Sequence, residues 1–455
     1  MINQSGHTGQ NTNRGFGIRV FATRVRLYTR PVDPQPEITE IDGGFRVVTT
    51  PVPTAQSVSA NVFVGVGSRA ENAANKGLAH FLEHMVFKGT QKRPSAIIIA
   101  EAIEGAGGVL NAYTAKEVTC YWNYVPFDRL ELSLDILSDM LTESLFDPEE
   151  LERERSVVQQ EIKRSKDQPG SWTGELLVRA LFGDHPLGWS TAGDEETVAT
   201  LKRQDFLQWM DDSYTGANLV LSVAGNTTHE DVVGLAKRFF TANGAAAKND
   251  PLPVAEGLPA QRLIFEERPI SQANLALGMP GLSRTDPDRY ILMVLNSLLG
   301  RGMSSRLFKE VRERRGLAYS VGSSSSRHSD TGMFTVSAGV SPENLEEAVR
   351  VILAELMKLT AELAPGEELI KARDYTSGSF RLGLETPMAL AQRAGESLLM
   401  LGEIEPIESV VENLSGVTAE DIRRVAQRIF QPEKMALSVV GPDLNEDRLS
   451  GLLKA

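Results

Sequence analysis

The chain has 455 residues, 41% of them hydrophobic and 24% charged. That is more than one core usually organises, and the composition excludes a collagenous or largely disordered chain. A net charge of -13 argues against a general nucleic-acid binder and leaves basic peptides as a partner class, and the single Cys120 excludes an intramolecular disulfide framework. No run of about 18 apolar residues is present, which excludes a membrane-spanning helix.

In chain order, residues 1–36 stand apart. The first 32 carry Arg14, Arg19, Arg24, Arg26 and Arg30 without an acidic residue, and Pro31, Pro34 and Pro36 close the segment. It reads as a flexible leader. From Ser57 to Val66 the chain alternates, with Val58, Ala60, Val62, Val64 and Val66 on one face and Ser59, Asn61, Phe63 and Gly65 on the other. This predicts a half-buried strand. Helical spacing follows over 76–88, 96–106, 128–144 and 148–166, with a strand-like stretch from Val109 to Tyr124. Strands and helices without regular βαβ alternation predict an α+β fold with antiparallel sheets.

The two halves repeat. Leu221–Gly225 (LSVAG) recurs as Leu437–Gly441 (LSVVG) at an offset of 216, Asp205 falls on Asp421, and Val125, Pro126 and Leu130 fall beside Val340, Pro342 and Leu345. Two copies of one fold are expected: a domain at 37–243, a linker rich in Ala, Gly and Pro at 244–259, and a domain at 260–455.

The candidate chemistry begins in GLAHFLEHMVFKG, Gly77 to Gly89. Leu78, Phe81, Leu82 and Met85 form a core stripe, and His80, Glu83 and His84 share the opposite face. Histidines at i and i+4 project one turn apart, so both reach one zinc ion, and an adjacent glutamate suits proton abstraction from water. The order H-x-x-E-H inverts the commoner zincin motif.

A catalytic zinc needs a third protein ligand. The candidate is Glu161, on a helix that opens with Asp147 as N-cap, Pro148 at N1 and Glu150 at N3, a capping-box pattern. Glu154 lies two turns before Glu161 on the same face and is placed to accept from a ligand imidazole. Taken alone, a carboxylate in so charged a helix is as readily a solvated surface group.

At these residues the sequence resembles the pitrilysin and insulinase family of inverzincins, in its short two-domain branch with the mitochondrial processing peptidase beta subunit and bacterial relatives. The resemblance spans residues 37–450 and is densest over GSRAENAANKGLAHFLEHMVFKGT; the 76 residues between His84 and Glu161 match the family's spacing. It implies His80, His84 and Glu161 as ligands to one zinc, Glu83 as base and Glu154 behind a ligand. In LNAYTAKE it implies that Asn111 and Ala112 pair with the substrate backbone, with Tyr113 following toward a side-chain pocket.

In the second half, which lacks the motif, it implies that Arg312 and Tyr319 stabilise the oxyanion. The implied architecture is a clamshell of two homologous α+β domains around a cavity that admits unfolded peptides or presequences. The implied activity is zinc-dependent endopeptidase, with a non-catalytic core or peptide-binding subunit of the same fold as the alternative. A homodimer is expected, with a heterodimer of related subunits as the other arrangement. A bacterial cytoplasm is expected in preference to a mitochondrial matrix.

Overall fold

The computed structural model describes residues 35–241, 251–255, 257 and 259–453. The leader therefore lies outside the described residues except for its last two, and so does much of the linker. The first half runs β1 (Glu37–Ile41), β2 (Phe45–Pro51), β3 (Ser57–Val64), α1 (Leu78–Met85), α2 (Ala96–Glu104), β4 (Val109–Thr114) and β5 (Thr119–Pro126). It continues with α3 (Leu130–Thr142), α4 (Pro148–Asp167), α5 (Pro169–Phe182), α6 (Glu195–Thr200), α7 (Arg203–Ser213), β6 (Leu219–Gly225) and α8 (His229–Phe239).

The second half repeats the order from β2 onward. It has β7 (Leu263–Glu267), β8 (Ala273–Gly281), α9 (Arg289–Gly300), a π-turn segment (Phe308–Glu313), β9 (Ala318–Arg327) and β10 (Gly332–Val340). Then come α10 (Leu345–Ala361), α11 (Gly366–Leu382), α12 (Pro387–Leu401), α13 (Ile407–Gly416), α14 (Ala419–Ile429), β11 (Ala436–Gly441) and α15 (Glu446–Leu452).

The sheets are ordered β1-β2-β6-β3-β5-β4 and β7-β11-β8-β10-β9. Both are antiparallel except for one parallel pair each, β2 with β6 and β7 with β11, which come from the two ends of each half. The repeated sequences account for this likeness: LSVAG and LSVVG are β6 and β11, and Asp205 and Asp421 each accept from the N-terminal cap residue of its helix, Lys202 N–H at 2.7 Å and Thr418 N–H at 3.0 Å. The stretch from Val109 to Tyr124 is a hairpin of two strands, β4 and β5, rather than one. Its turn, Ala115–Val118, carries neither Gly nor Pro to announce it.

Each half has its own core, but each also borrows a helix. Helix α12 lies on the outer face of the first sheet, where Ala394, Leu398 and Leu399 pack on Val48, Phe63, Cys120 and Val220. Helix α5 covers the second sheet in the same way, through Leu177, Ala180 and Leu181 against Ala276 and Ala436. The exchange is symmetric in detail: Ser222 of β6 donates to the Ala391 carbonyl of α12, and Ser438 of β11 to the Thr173 carbonyl of α5, each at 2.7 Å. The approach is close enough that a Cβ on Gly395 would lie 2.2 Å from the Phe63 ring.

This overturns the half-buried reading of β3. Ser59, Asn61 and Phe63 are as buried as the valines of the other face. A polar seam also joins the halves at two hairpin tips: Arg69 pairs with Glu117 (2.7 Å) and with Asp330 (2.8 Å) across the junction, and Arg284 pairs with Glu117 (2.9 Å).

Candidate metal centre

Helix α1 is seated by its apolar stripe, with Leu78, Ala79, Phe81, Leu82 and Met85 buried. Its start is shaped by Gly77, whose φ of +86° suits glycine and whose Cα faces the Ala192 carbonyl too closely for a side chain. No N-cap side chain serves this helix. Instead the buried Glu71 accepts from the Gly77 N–H (2.9 Å) and the Ala79 N–H (2.8 Å), placing a carboxylate at the positive end of the helix. Burial pushes Glu71 up to about 8, against the pull of those two N–H groups and Lys116.

Helix α4 starts as its sequence suggests, with Asp147 Oδ1 accepting from the N–H groups of Glu149 (2.9 Å) and Glu150 (3.2 Å). The expected second half of the capping box is absent, because the Glu150 carboxylate pairs with Arg153 instead. The buried face of α4 is Leu151, Glu154, Val158 and Ile162, and it brings two carboxylates to α1.

His80 Nε2 lies 3.3 Å from His84 Nε2, and Glu161 Oε2 lies 3.7 Å from the first and 3.5 Å from the second. A tetrahedral zinc ion with bonds of about 2.0–2.1 Å holds its ligand atoms about 3.4 Å apart, so this triangle of two imidazole nitrogens and one carboxylate oxygen fits the ion. Among the described residues it is the group of metal-ligand type that converges in this way. His84 Nδ1 lies 2.8 Å from Glu154 Oε1, a contact in which the Nδ1–H donates to the carboxylate, so that Nε2, which faces Glu161, is the nitrogen placed to meet a metal. Glu154 is held in turn by Lys88 at 2.6 Å.

Glu161 is 44% exposed and the histidines 19% and 16%, so the triangle opens to solvent on the carboxylate side. Burial, with the His84 charge behind it, lowers His80 to about 4 and keeps it neutral, as a ligand must be. Burial would lower His84 too, but hydrogen bonding to Glu154 and the charges of Glu161, Glu154 and Glu83 outweigh it and raise it. Burial raises Glu154, and the His84 and Lys88 contacts bring it below its ordinary value. Glu83, one residue before His84, is raised by burial, which moves a carboxylate toward the range of a base working near neutrality.

Glu83 is oriented by Thr114, whose hydroxyl donates to Oε2 at 2.6 Å. Thr114 ends β4, the edge strand that also carries Asn111, Ala112 and Tyr113. The Ala115 N–H donates to the Val118 carbonyl inside the hairpin, so by strand alternation the backbone groups of Leu110, Ala112 and Thr114 point away from β5, toward the open edge. The Ala112 N–H is already taken by Asn111 Oδ1 at 2.8 Å. Tyr113 packs against the Val118–Cys120 cluster beneath α12, on the face opposite Thr114.

Arg312 and Tyr319 meet each other, the guanidinium lying 5.4 Å from the phenol ring centroid and 4.9 Å from that of Phe308. Tyr319 is 77% exposed. Among the described residues, no hydrogen bond or ion pair joins either one to His80, Glu83, His84 or Glu161. The sequence reading missed Glu71, Lys88 and Thr114. Lys88 sits at i+4 from His84 and was findable as a partner for Glu154, while Glu71 and Thr114 gave no periodic signal.

Residues 46–195 match the insulinase family (peptidase family M16), and residues 200–375 match the peptidase M16 inactive domain. The chain is 39% identical to an uncharacterized zinc protease of Streptomyces coelicolor over 89% of both chains. It is 37% identical to one of Bacillus subtilis, over 88% of this chain and 97% of the relative. A protease from Helicobacter pylori superposes with a TM-score of 0.82 at 23% identity, covering 90% of this chain and all of that one. A peptidase M16 inactive domain protein from Pseudomonas fluorescens superposes with a TM-score of 0.83 at 20% identity, over 90% and 99%.

Proposed function

The chain belongs to the insulinase family, peptidase family M16, and from that premise we propose that it is a zinc-dependent endopeptidase acting on extended peptides. The convergence of His80 Nε2, His84 Nε2 and Glu161 Oε2 in one triangle with Glu83 beside it carries the reading. A zinc ion held by those three side chains supplies Lewis acidity and lowers the pKa of water toward about 7.

Glu83 takes the proton of the attacking water and returns it to the leaving nitrogen, with Thr114 holding its other oxygen in place. Glu154 fixes the His84 tautomer. The peptide lies as an added strand on the open edge of β4, bonding the outward groups at Ala112, whose N–H exchanges the Asn111 oxygen for a substrate carbonyl. Arg312 and Tyr319 donate to the oxyanion from the second half, which requires the halves, or a second copy of the chain, to bring them to the scissile carbonyl. The native assembly on this reading is a homodimer.

The test is metal content. The purified chain is expected to hold close to one zinc, and His80→Ala, His84→Ala and Glu161→Ala are each expected to lose it, because two ligands hold the ion poorly. Full zinc in all three variants overturns the ligand assignment. Stoichiometric zinc without cleavage of any peptide in a mixed library turns the reading to a non-catalytic, peptide-binding member of the family.

A further inference from the structure

A cavity of about 500 Å³ lies where α12, the end of α11 and β9 meet. Its polar wall is unbalanced: Arg284, Arg327 and Arg393 face Ser325 and Ser397, with Glu396 the one carboxylate. Two of the arginines are engaged. Arg284 pairs with Glu117 at 2.9 Å, and Arg393 donates to the Glu405 carbonyl and rests over the Phe380 ring at 5.6 Å. Arg327 is different. Among the described residues its guanidinium makes no ion pair and no hydrogen bond, and its backbone carbonyl accepts from Arg284.

Burial and the repulsion of Arg284 and Arg289 lower its pKa. A half-buried guanidinium with two cations near it, and with Glu396 as the one nearby carboxylate acting through its charge without an ion pair, is costly to keep, and an anion from outside would relieve that cost.

We infer that this cavity is a carboxylate-binding subsite for the peptide, in which the Arg327 fork takes one carboxylate in bidentate fashion and Ser325 and Ser397 bond its remaining lone pairs. The geometry of guanidinium and carboxylate suits such a pair, which is roughly twice as strong as a neutral hydrogen bond. The inference rests on the peptidase reading for its choice of a peptide. It deepens that reading by making substrate selection a matter of an acidic group held away from the cut.

The position supports this. Met400, on the cavity wall, and Tyr113 of β4 pack against one apolar cluster beneath α12, so the cavity adjoins the sheet whose edge strand is proposed to hold substrate. The overall charge of -13 points to basic partners, yet here the local lining is basic, and local charge governs a contact at hydrogen-bond distance.

The carboxylate has two sources, the peptide's C-terminus or an Asp or Glu side chain. Four peptides of one sequence separate them: free acid or amide at the terminus, each with Glu or Gln at one internal position. Binding is read by fluorescence anisotropy on the full chain carrying Glu83→Gln, which keeps the peptides intact, and kcat/KM ratios are read on the unmodified chain.

An acid is expected to bind about tenfold or more tightly than its matched amide, with the margin shrinking as salt is added. Loss of preference on amidation assigns the terminus, and loss on Glu-to-Gln exchange in the peptide assigns the side chain. Arg327→Gln is expected to bring the acid-to-amide ratio within about twofold, and Arg327→Lys to retain part of it, since a point charge replaces the fork. Arg327→Lys keeps the test open if the Gln variant fails to fold. Equal binding of acid and amide by the chain with Arg327 intact overturns the subsite, as does an undiminished preference in Arg327→Gln. Cleavage without acid selection leaves the peptidase reading standing and removes the subsite; acid selection without any cleavage does the reverse.

Discussion

The contact between α1 and α4 in the first half and that between α9 and α11 in the second occupy equivalent places in the repeat, and they differ in what meets there. In the first, His80 and His84 face Glu154 and Glu161 at 2.8 to 3.7 Å, in a group open to solvent. In the second, Thr376 of α11 donates to Ser297 of α9 at 2.8 Å, both hydroxyls buried, while the neighbouring Asn296 of α9 accepts from Ser323 of β9 at 2.6 Å. The duplicated backbone supplies a helix pair in each half, and the side chains decide whether it becomes an open group of metal-ligand type or a closed polar contact. Without such a group, the second half places two half-buried cations elsewhere: Arg312 beside Tyr319, and Arg327 in its cavity.

The comparison breaks most sharply at Glu83. If the first contact is catalytic, Glu83→Gln retains zinc and loses peptide hydrolysis by about 10²- to 10⁴-fold, because the amide keeps the shape and the Thr114 hydroxyl contact but accepts no proton. Near-normal turnover with zinc bound would remove the base from Glu83. Next comes the contribution of the second half. Tyr319→Phe is expected to lower turnover by about 10²- to 10³-fold with zinc unchanged, the range of a single oxyanion donor. An unaltered kcat would confine the second half to scaffolding. Glu154→Gln is expected to be milder, about 10- to 100-fold in zinc affinity or activity, since the His84 contact weakens without being lost. A larger effect than that of Glu83→Gln would mean that Glu154 is itself a ligand.

The α+β fold, the duplication and the shared face of His80, Glu83 and His84 were legible in the sequence because each rests on local periodicity or on literal repetition: the stripe Leu78, Phe81, Leu82 and Met85, the recurrence of LSVAG as LSVVG, the i and i+4 histidines. What was not legible depends on partners distant in the chain. The alternation in β3 predicts one exposed face, and Ser59, Asn61 and Phe63 lie there; that they are buried follows from α12, whose Met388 receives the Ser59 hydroxyl at 3.4 Å across 329 positions. Thr114 orients Glu83 only because β4 folds back beside α1, and a lone Thr at a strand end carries no pattern. Glu71 holds the start of α1 from six and eight residues away, a spacing that belongs to no standard cap.

The smallest expected effect tests whether the halves are equivalent where the metal plays no part. Ser222 and Ser438 stand at the repeat offset, are fully buried, and each hands its proton to a carbonyl of the other half's helix at 2.7 Å. Replacing either with Ala removes one buried hydrogen bond while the helix carbonyl keeps its own ladder partner, so each is expected to cost about 0.5–1.5 kcal/mol in urea unfolding. Ser438 also lies 3.3 Å from the Ala276 carbonyl, a second acceptor, which places its cost at or slightly above that of Ser222. The two sites lie in different sheets and share no partner, so the double variant is expected to lose the sum of the two. Zinc content and kcat should stay as they were, since neither residue touches α1 or α4. Because each sheet is closed by a helix of the opposite half, loosening either seat should lower one common unfolding transition. Two separate transitions, with Ser222→Ala shifting only the first and Ser438→Ala only the second, would mean that the exchanged helices are ornaments on two independent domains and that the likeness of the halves stops at their topology.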